Sequence, residues 1–156
     1  MTPAIKTLEK AGVPFKVHEY QHVPTSDSFG LEAAEKLGVP ADRVFKTLVA
    51  DCGGSDLVVG IIPVSHRLST KRLARAAGAK KAAMATPSDV ERTTGYVLGG
   101  VSPLGQRKRL STFIDRSAQN HESIFVSAGR RGLEIELSPE ALTRMTRAQL
   151  TDLCAE

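Results

Sequence analysis

Lys46 is the residue whose type and place most invite chemistry. In Val44-Phe45-Lys46-Thr47-Leu48 it shares a pleat face with Val44 and Leu48, in a run that reads as a buried strand. Two roles suit it. On an edge strand, a lysine discourages aggregation. At the floor of a cleft, its ammonium can hold a carbonyl or phosphate oxygen while the stem packs on aliphatic neighbours. Four of the seven aromatic residues, Phe15, Tyr20, Phe29 and Phe45, precede it and can wall a small pocket; their other reading is ordinary core packing. Gly99-Gly100-Val101-Ser102-Pro103 is the second candidate. Its glycines let backbone approach a ligand, and its successive free N–H groups up to Ser102 form a nest for an oxyanion. A plain structural turn has the same composition.

Other chemistries fit poorly. Ser102, Asp115 and His121 follow the chain order of α/β-hydrolases, but Leu104 stands where a nucleophile elbow needs glycine. Pro103 directly after the serine has no N–H for an oxyanion. His18, His22, His66 and His121 show no tight ligand spacing, and no P-loop or dinucleotide fingerprint is present, so neither a metal nor a cofactor is expected. Cys52 and Cys154 are too few for a disulfide framework and form no C-x-x-C pair.

The charge balance points to an anionic partner. Lys and Arg number 21 against 17 Asp and Glu in 156 residues, and the excess is clustered. Arg67, Lys71, Arg72, Arg75, Lys80 and Lys81 lie in a stretch free of acids from His66 to Pro87, and Arg107-Lys108-Arg109 and Arg130-Arg131 add two more clusters. A solvated helix face explains some of this, and phosphate contacts at Lys80, Lys81, Arg130 and Arg131 explain the rest. No run approaches the ~18 apolar residues of a membrane span, and the first residues lack a signal peptide's pattern, so a cytoplasmic protein with no membrane partner is expected.

These residues must be positioned by a mixed set of elements. The pattern predicts a helix ending at Gly12, a strand over Val13–Tyr20, a loop through QHVPTSDS and a helix over Phe29–Leu37. Arg43–Asp51 and Leu57–Val64 read as an antiparallel hairpin across CGGS, the centre of a sheet. Helices are expected from Ser69 and from the Pro87-Ser88-Asp89 segment, strands over Leu110–Asp115, Ser123–Ser127 and Leu133–Leu137, and helices from Ser138 and over Thr146–Leu153. With no repeat, linker or regular β-α alternation, the chain reads as one α+β domain spanning residues 1–156.

Taken together, FGLEAAEKLGV, VFKTLV, TGYVLGGVSPLGQRKRL and IFVSAGRRGLEIEL closely resemble the YbaK/EbsC family of aminoacyl-tRNA deacylases, over almost the whole chain. That family is related to the editing domain of bacterial prolyl-tRNA synthetases. The resemblance implies a compact domain around a mostly antiparallel, barrel-like sheet flanked by helices. It implies hydrolysis of mischarged tRNA(Pro), and the opening MTPA looks most like the freestanding branch that removes cysteine. By the same resemblance the family's central lysine falls on Lys46, with Thr47 beside it. The pocket residues fall on Tyr20, Phe29 and Phe45, the substrate loop on Gly99, Gly100, Val101, Ser102 and Pro103, and a second loop on Ser127, Ala128 and Gly129. Ala128 departs from the glycine of some relatives.

The implied chemistry suits a chain without a nucleophile. An aminoacyl ester is already activated, and in the cysteine branch the substrate's own thiol is thought to attack it, which leaves the protein to orient the carbonyl and stabilise its oxyanion. Specificity for tRNA(Pro) would come from a complex with prolyl-tRNA synthetase. Two other functions remain open from the residues: water-driven deacylation of another small amino acid such as alanine or serine, and a non-catalytic module that binds tRNA or synthetase.

Overall fold

The computed structural model describes residues 1–23, 29–54 and 56–156. The end of the expected QHVPTSDS loop and the serine of the CGGS turn lie outside them. The chain opens with α1 (Pro3–Ala11), capped by the Thr2 hydroxyl and closed at Gly12, followed by β1 (Lys16–Glu19) and α2 (Phe29–Leu37). Next come β2 (Phe45–Asp51) and β3 (Leu57–Pro63), the expected antiparallel hairpin, in register from Phe45 opposite Pro63 to Asp51 opposite Leu57. Ser69 caps α3 (Thr70–Ala76), β4 (Ala83–Met84) follows, and Thr86 with Pro87 starts α4 (Pro87–Thr94). Strands β5 (Ser111–Asp115), β6 (Ile124–Arg130) and β7 (Leu133–Leu137) precede α5 (Pro139–Thr146), capped by Ser138.

Two expectations are corrected. The final segment is not a helix. Arg147 adopts a left-handed conformation (φ 55°) that ends α5, and Gln149–Thr151 then forms β8 beside β5. The sheet is also not a closed barrel. Its strands divide into β1-β7-β6 and β4-β2-β3-β5-β8, and the β3–β5 and β5–β8 pairings are parallel. Among the described residues, a bridge between Val44 and Phe125 joins the two sheets.

Strand alternation sorts β2 between separate cores. Phe45 and Val49 enter the largest, with Leu8, Ile61, Ile114, Ile135 and Leu142. Leu48 and Ala50 face the opposite way, onto Leu73, Phe113 and Leu153 beneath α3. Val44 lies with Ala33, Ala34, Val64 and Phe125 beneath α2. Lys46 sits on this second face between two apolar clusters. Among the described residues, no helix is long and apolar enough to cross a membrane.

Candidate active site

Hydrogen-bond alternation along β2 opens one of its edges. The Val64 N–H donates to the Val44 carbonyl and the Cys52 N–H to Asp56, so even-numbered residues pair toward β3 and Thr47 turns its N–H and C=O the other way. On that edge, among the described residues, β6 forms a ladder bridge at Val44 alone, β4 pairs with Ala50 and Asp51, and the Ala85 N–H donates to the Val49 carbonyl. Between them lies a cavity of about 360 Å³. Its β2 wall is residues 44–48, α2 contributes Phe29 and Gly30, and the loop after α4 contributes Leu98, Gly99 and Val101. Tyr20, Ser127 and Glu134 complete it from the other sheet. The Thr47 hydroxyl is buried without a hydrogen-bond partner among the described residues, an uncompensated cost that a ligand would remove.

The cavity thus gathers Lys46, Thr47, Tyr20, Phe29, Phe45, Gly99, Val101 and Ser127. Other candidates lie apart. The Ser102 hydroxyl is fully buried and accepts the Leu104 N–H, and Pro103 faces a separate cavity of about 260 Å³ beside Thr7 and Arg109. Ala128 is in the main core, and Gly129, at φ 115°, backs onto the Tyr96 ring. The nest is also smaller than expected. The Gly100 N–H is used by the Val97 carbonyl at 3.0 Å, which leaves those of Gly99 and Val101 without partners among the described residues. Gly100 is required for another reason: a Cβ there would stand 2.9 Å from the Arg130 Cα. Lys80 and Lys81 are exposed after α3, away from the cavity lining. No serine triad forms. Asp115 accepts Leu153 N–H at 2.8 Å and the Ser117 hydroxyl at 2.5 Å, so its carboxylate is spent tying β5 to the C-terminal segment.

The electrostatics are unusual for so apolar a pocket. Burial pulls the Lys46 ammonium below its ordinary pKa, opposed by the Cys154 sulfur and reinforced by Arg67, and no carboxylate pairs with it among the described residues. Glu134 was not foreseen from the sequence. It is 6% exposed, and burial pushes its carboxyl up to about 8. Burial, then Glu134, raise the Tyr20 hydroxyl. Both protein thiols are unsuited to attack. Burial raises Cys52, and burial with the nearby Asp115 raises Cys154 to about 12, so neither is a thiolate near neutrality, and neither lines the cavity.

A chain of contacts fixes the rim. The Arg131 guanidinium stacks 3.6 Å from the centre of the Phe29 ring. Because arginine only donates, its 3.5 Å contact makes the His22 Nε2 an acceptor, so His22 Nδ1–H donates to Glu32 at 2.6 Å. Glu32 also accepts the Val23 N–H, and these bonds outweigh burial to keep its pKa low. Neither His22 nor Glu32 has a local sequence signature, since they are ten residues apart. Arg131→Leu is expected to raise KM for the cavity's substrate about threefold to fivefold, the worth of an exposed cation–π contact, with an unchanged salt slope. A flattened slope in KM against salt would instead make Arg131 a phosphate contact.

Comparison with known proteins gives this geometry its family. The family model described as the aminoacyl-tRNA editing domain matches residues 22–145. The chain belongs to that family. It is 41% identical over 153 residues to an Enterococcus faecalis protein named "Putative Cys-tRNA(Pro)/Cys-tRNA(Cys) deacylase EbsC", covering 97% of this chain and 92% of that one. It is 28% identical to 107 residues of the Trichlorobacter lovleyi proline–tRNA ligase, which are 69% of this chain and 18% of the ligase. Among solved structures, one described as a "putative trans-editing enzyme for prolyl tRNA synthetase" superposes with a TM-score of 0.86 at 26% identity, covering 99% of this chain and 96% of that one. The editing-domain match spans every cavity residue except Tyr20, two residues before it begins.

Proposed function

We propose that this protein is a trans-editing deacylase that clears cysteine from mischarged tRNA(Pro), with the substrate's own thiol as nucleophile. The observation that carries the reading is the cavity itself: among the described residues it offers polar groups to hold an ester and no activated nucleophile. The Ser127 hydroxyl already accepts the Gly129 N–H at 3.1 Å, and among the described residues no histidine hydrogen-bonds Ser127 or Thr47. Hydrolysis by a covalent enzyme intermediate therefore has no histidine base among the described residues. In the proposed step the thiol sulfur bonds to the ester carbonyl carbon and the carbon–oxygen bond to the terminal ribose breaks. The thiol proton passes to the departing oxygen, leaving free tRNA and a cyclic thiolactone. Oriented internal reactions reach effective molarities of ~10⁵ M or more, so positioning supplies most of the acceleration.

In this reading the Gly99 and Val101 N–H groups meet the carbonyl oxygen. Lys46 holds the terminal ribose or its phosphate, Thr47 orients the ester along the open β2 edge, and Phe29 and Tyr20 enclose the side chain. Lys80, Lys81 and Arg130 meet acceptor-stem phosphates, and prolyl-tRNA synthetase in transient complex supplies tRNA(Pro) recognition. One α+β unit over residues 1–156 carries all of this. A panel of mischarged tRNAs tests it. Cys-tRNA(Pro) should be cleared at least tenfold faster than Ser-tRNA(Pro) or Ala-tRNA(Pro), and Cys52→Ser with Cys154→Ser should leave that rate unchanged. Equal rates on all three substrates would exclude the internal thiol and favour activated water.

A further inference from the structure

Glu134 has no structural reason to be where it is. It lies on β7, opposite His18 of β1 and Ser127 of β6, and projects into the cavity beneath α2. Its neighbour on the same strand face, Glu136, is held by Ser123, His18 and Arg43 at 2.5–3.4 Å. Glu134 has no such partner: among the described residues no cation and no hydrogen-bond donor meets its carboxyl, although the residue is buried. Burying a lone carboxylate is costly, and folds retain one where something else completes it. The complement is a buried, compact cation with hydrogen-bond donors.

Every aminoacyl ester brings such a group, the α-ammonium, two bonds from the carbonyl carbon under attack. We propose that Glu134 receives the α-ammonium of the bound aminoacyl ester and so makes the site selective for substrates whose amino group is free. This rests on the deacylase reading of the cavity. In the empty pocket the carboxyl is held in its neutral form, with a pKa of about 8. A free amine of similar basicity takes up that proton, or an entering ammonium displaces it to solvent, and the resulting carboxylate–ammonium pair sits between Tyr20 and Ser127 with Lys46 on the β2 wall. N-acylation removes the charge and adds bulk while leaving thiol and ester untouched, so it separates recognition of the amine from the chemistry.

The test compares Cys-tRNA(Pro) with N-acetyl-Cys-tRNA(Pro), using the unaltered protein and Glu134→Gln under single-turnover conditions. The unaltered protein should prefer the free amine by at least tenfold. Glu134→Gln should lose at least tenfold on Cys-tRNA(Pro) and little on the acetylated substrate, so that the preference collapses. Equal rates for the two substrates with the unaltered protein, or equal losses for both in the variant, would overturn the assignment of Glu134 alone. No turnover of any mischarged tRNA would overturn the deacylase reading and this inference with it. Folding of the variant is checked by its melting across pH. The groups around Glu134 are His18, Tyr20, Lys46 and Glu136, and both proteins share them, so the difference between the two melting profiles reports Glu134. Its folded pKa is raised, so its stability contribution is present below about 4.5 and lost as pH rises through about 8. Glu134→Gln should flatten that decline, and Glu134→Asp, which keeps the charge but shortens its reach, should restore part of the amine preference.

Discussion

Lys46→Ala is expected to slow single-turnover deacylation of Cys-tRNA(Pro) by about a hundredfold, the usual cost of removing one preorganised donor at a reacting group. The fold should survive. Lys46 contributes its backbone to the β2–β3 ladder opposite Ile62, which alanine also does, and its side chain is only half-buried. No carboxylate pairs with it among the described residues, so truncation strands no buried charge. A melting temperature within a few degrees of the unaltered protein's, measured beside the rate, separates lost chemistry from lost structure. Lys46→Met sharpens the result, because it keeps the apolar stem and deletes the ammonium. If methionine retains the rate, Lys46 acts by packing, as the aggregation-guard reading of an edge lysine allows. The open β2 edge makes both roles physically possible at one position, and only the ammonium distinguishes them.

Local rules carried much of the fold. The β2–β3 hairpin, the caps at Ser69 and Ser138 and the stop at Gly12 all follow from interactions within a few residues. The parallel pairing of β3 with β5 and of β5 with β8 joins segments dozens of residues apart, and no local pattern encodes it. Thr146–Leu153 departs from its helical expectation for the same reason: its spacing suits a helix, but Arg147 turns the chain and β5 offers Gln149–Thr151 a ladder. The site divides likewise. Lys46 stood out because a charge interrupted an apolar strand. Glu134 did not, because in Leu133-Glu134-Ile135-Glu136-Leu137 the alternation marks one polar face without saying that Glu134 is buried at a cavity. The Gly99–Pro103 turn was read as one continuous nest, and the bond from Gly100 to Val97 divides it.

The placement of α2 gives the second large effect, Gly30→Ala. In an ordinary helix this change stabilises by up to about 1 kcal/mol. Here the new methyl would lie 2.3 Å from the Val64 Cγ1 and 3.0 Å from its Cβ, and a β-branched side chain in a packed cluster has little freedom to turn aside. Overpacking of this kind costs about 1–3 kcal/mol, so the sign should reverse and the variant should melt lower. The clash is relieved most easily by lifting the start of α2, which carries Phe29, the ring beneath Arg131, off the cavity. A displacement near 1 Å at a positioning wall is worth up to about a hundredfold in rate. Val64→Ala removes the opposing methyls, so Gly30→Ala with Val64→Ala should regain most of the lost activity even though Val64→Ala alone leaves a void. Deacylation rates and melting points of the two single variants and the double variant form a closed cycle. Additive losses would show that α2 is not seated through this contact, whereas recovery in the double variant would tie the position of one methyl group beneath α2 to the shape of the site.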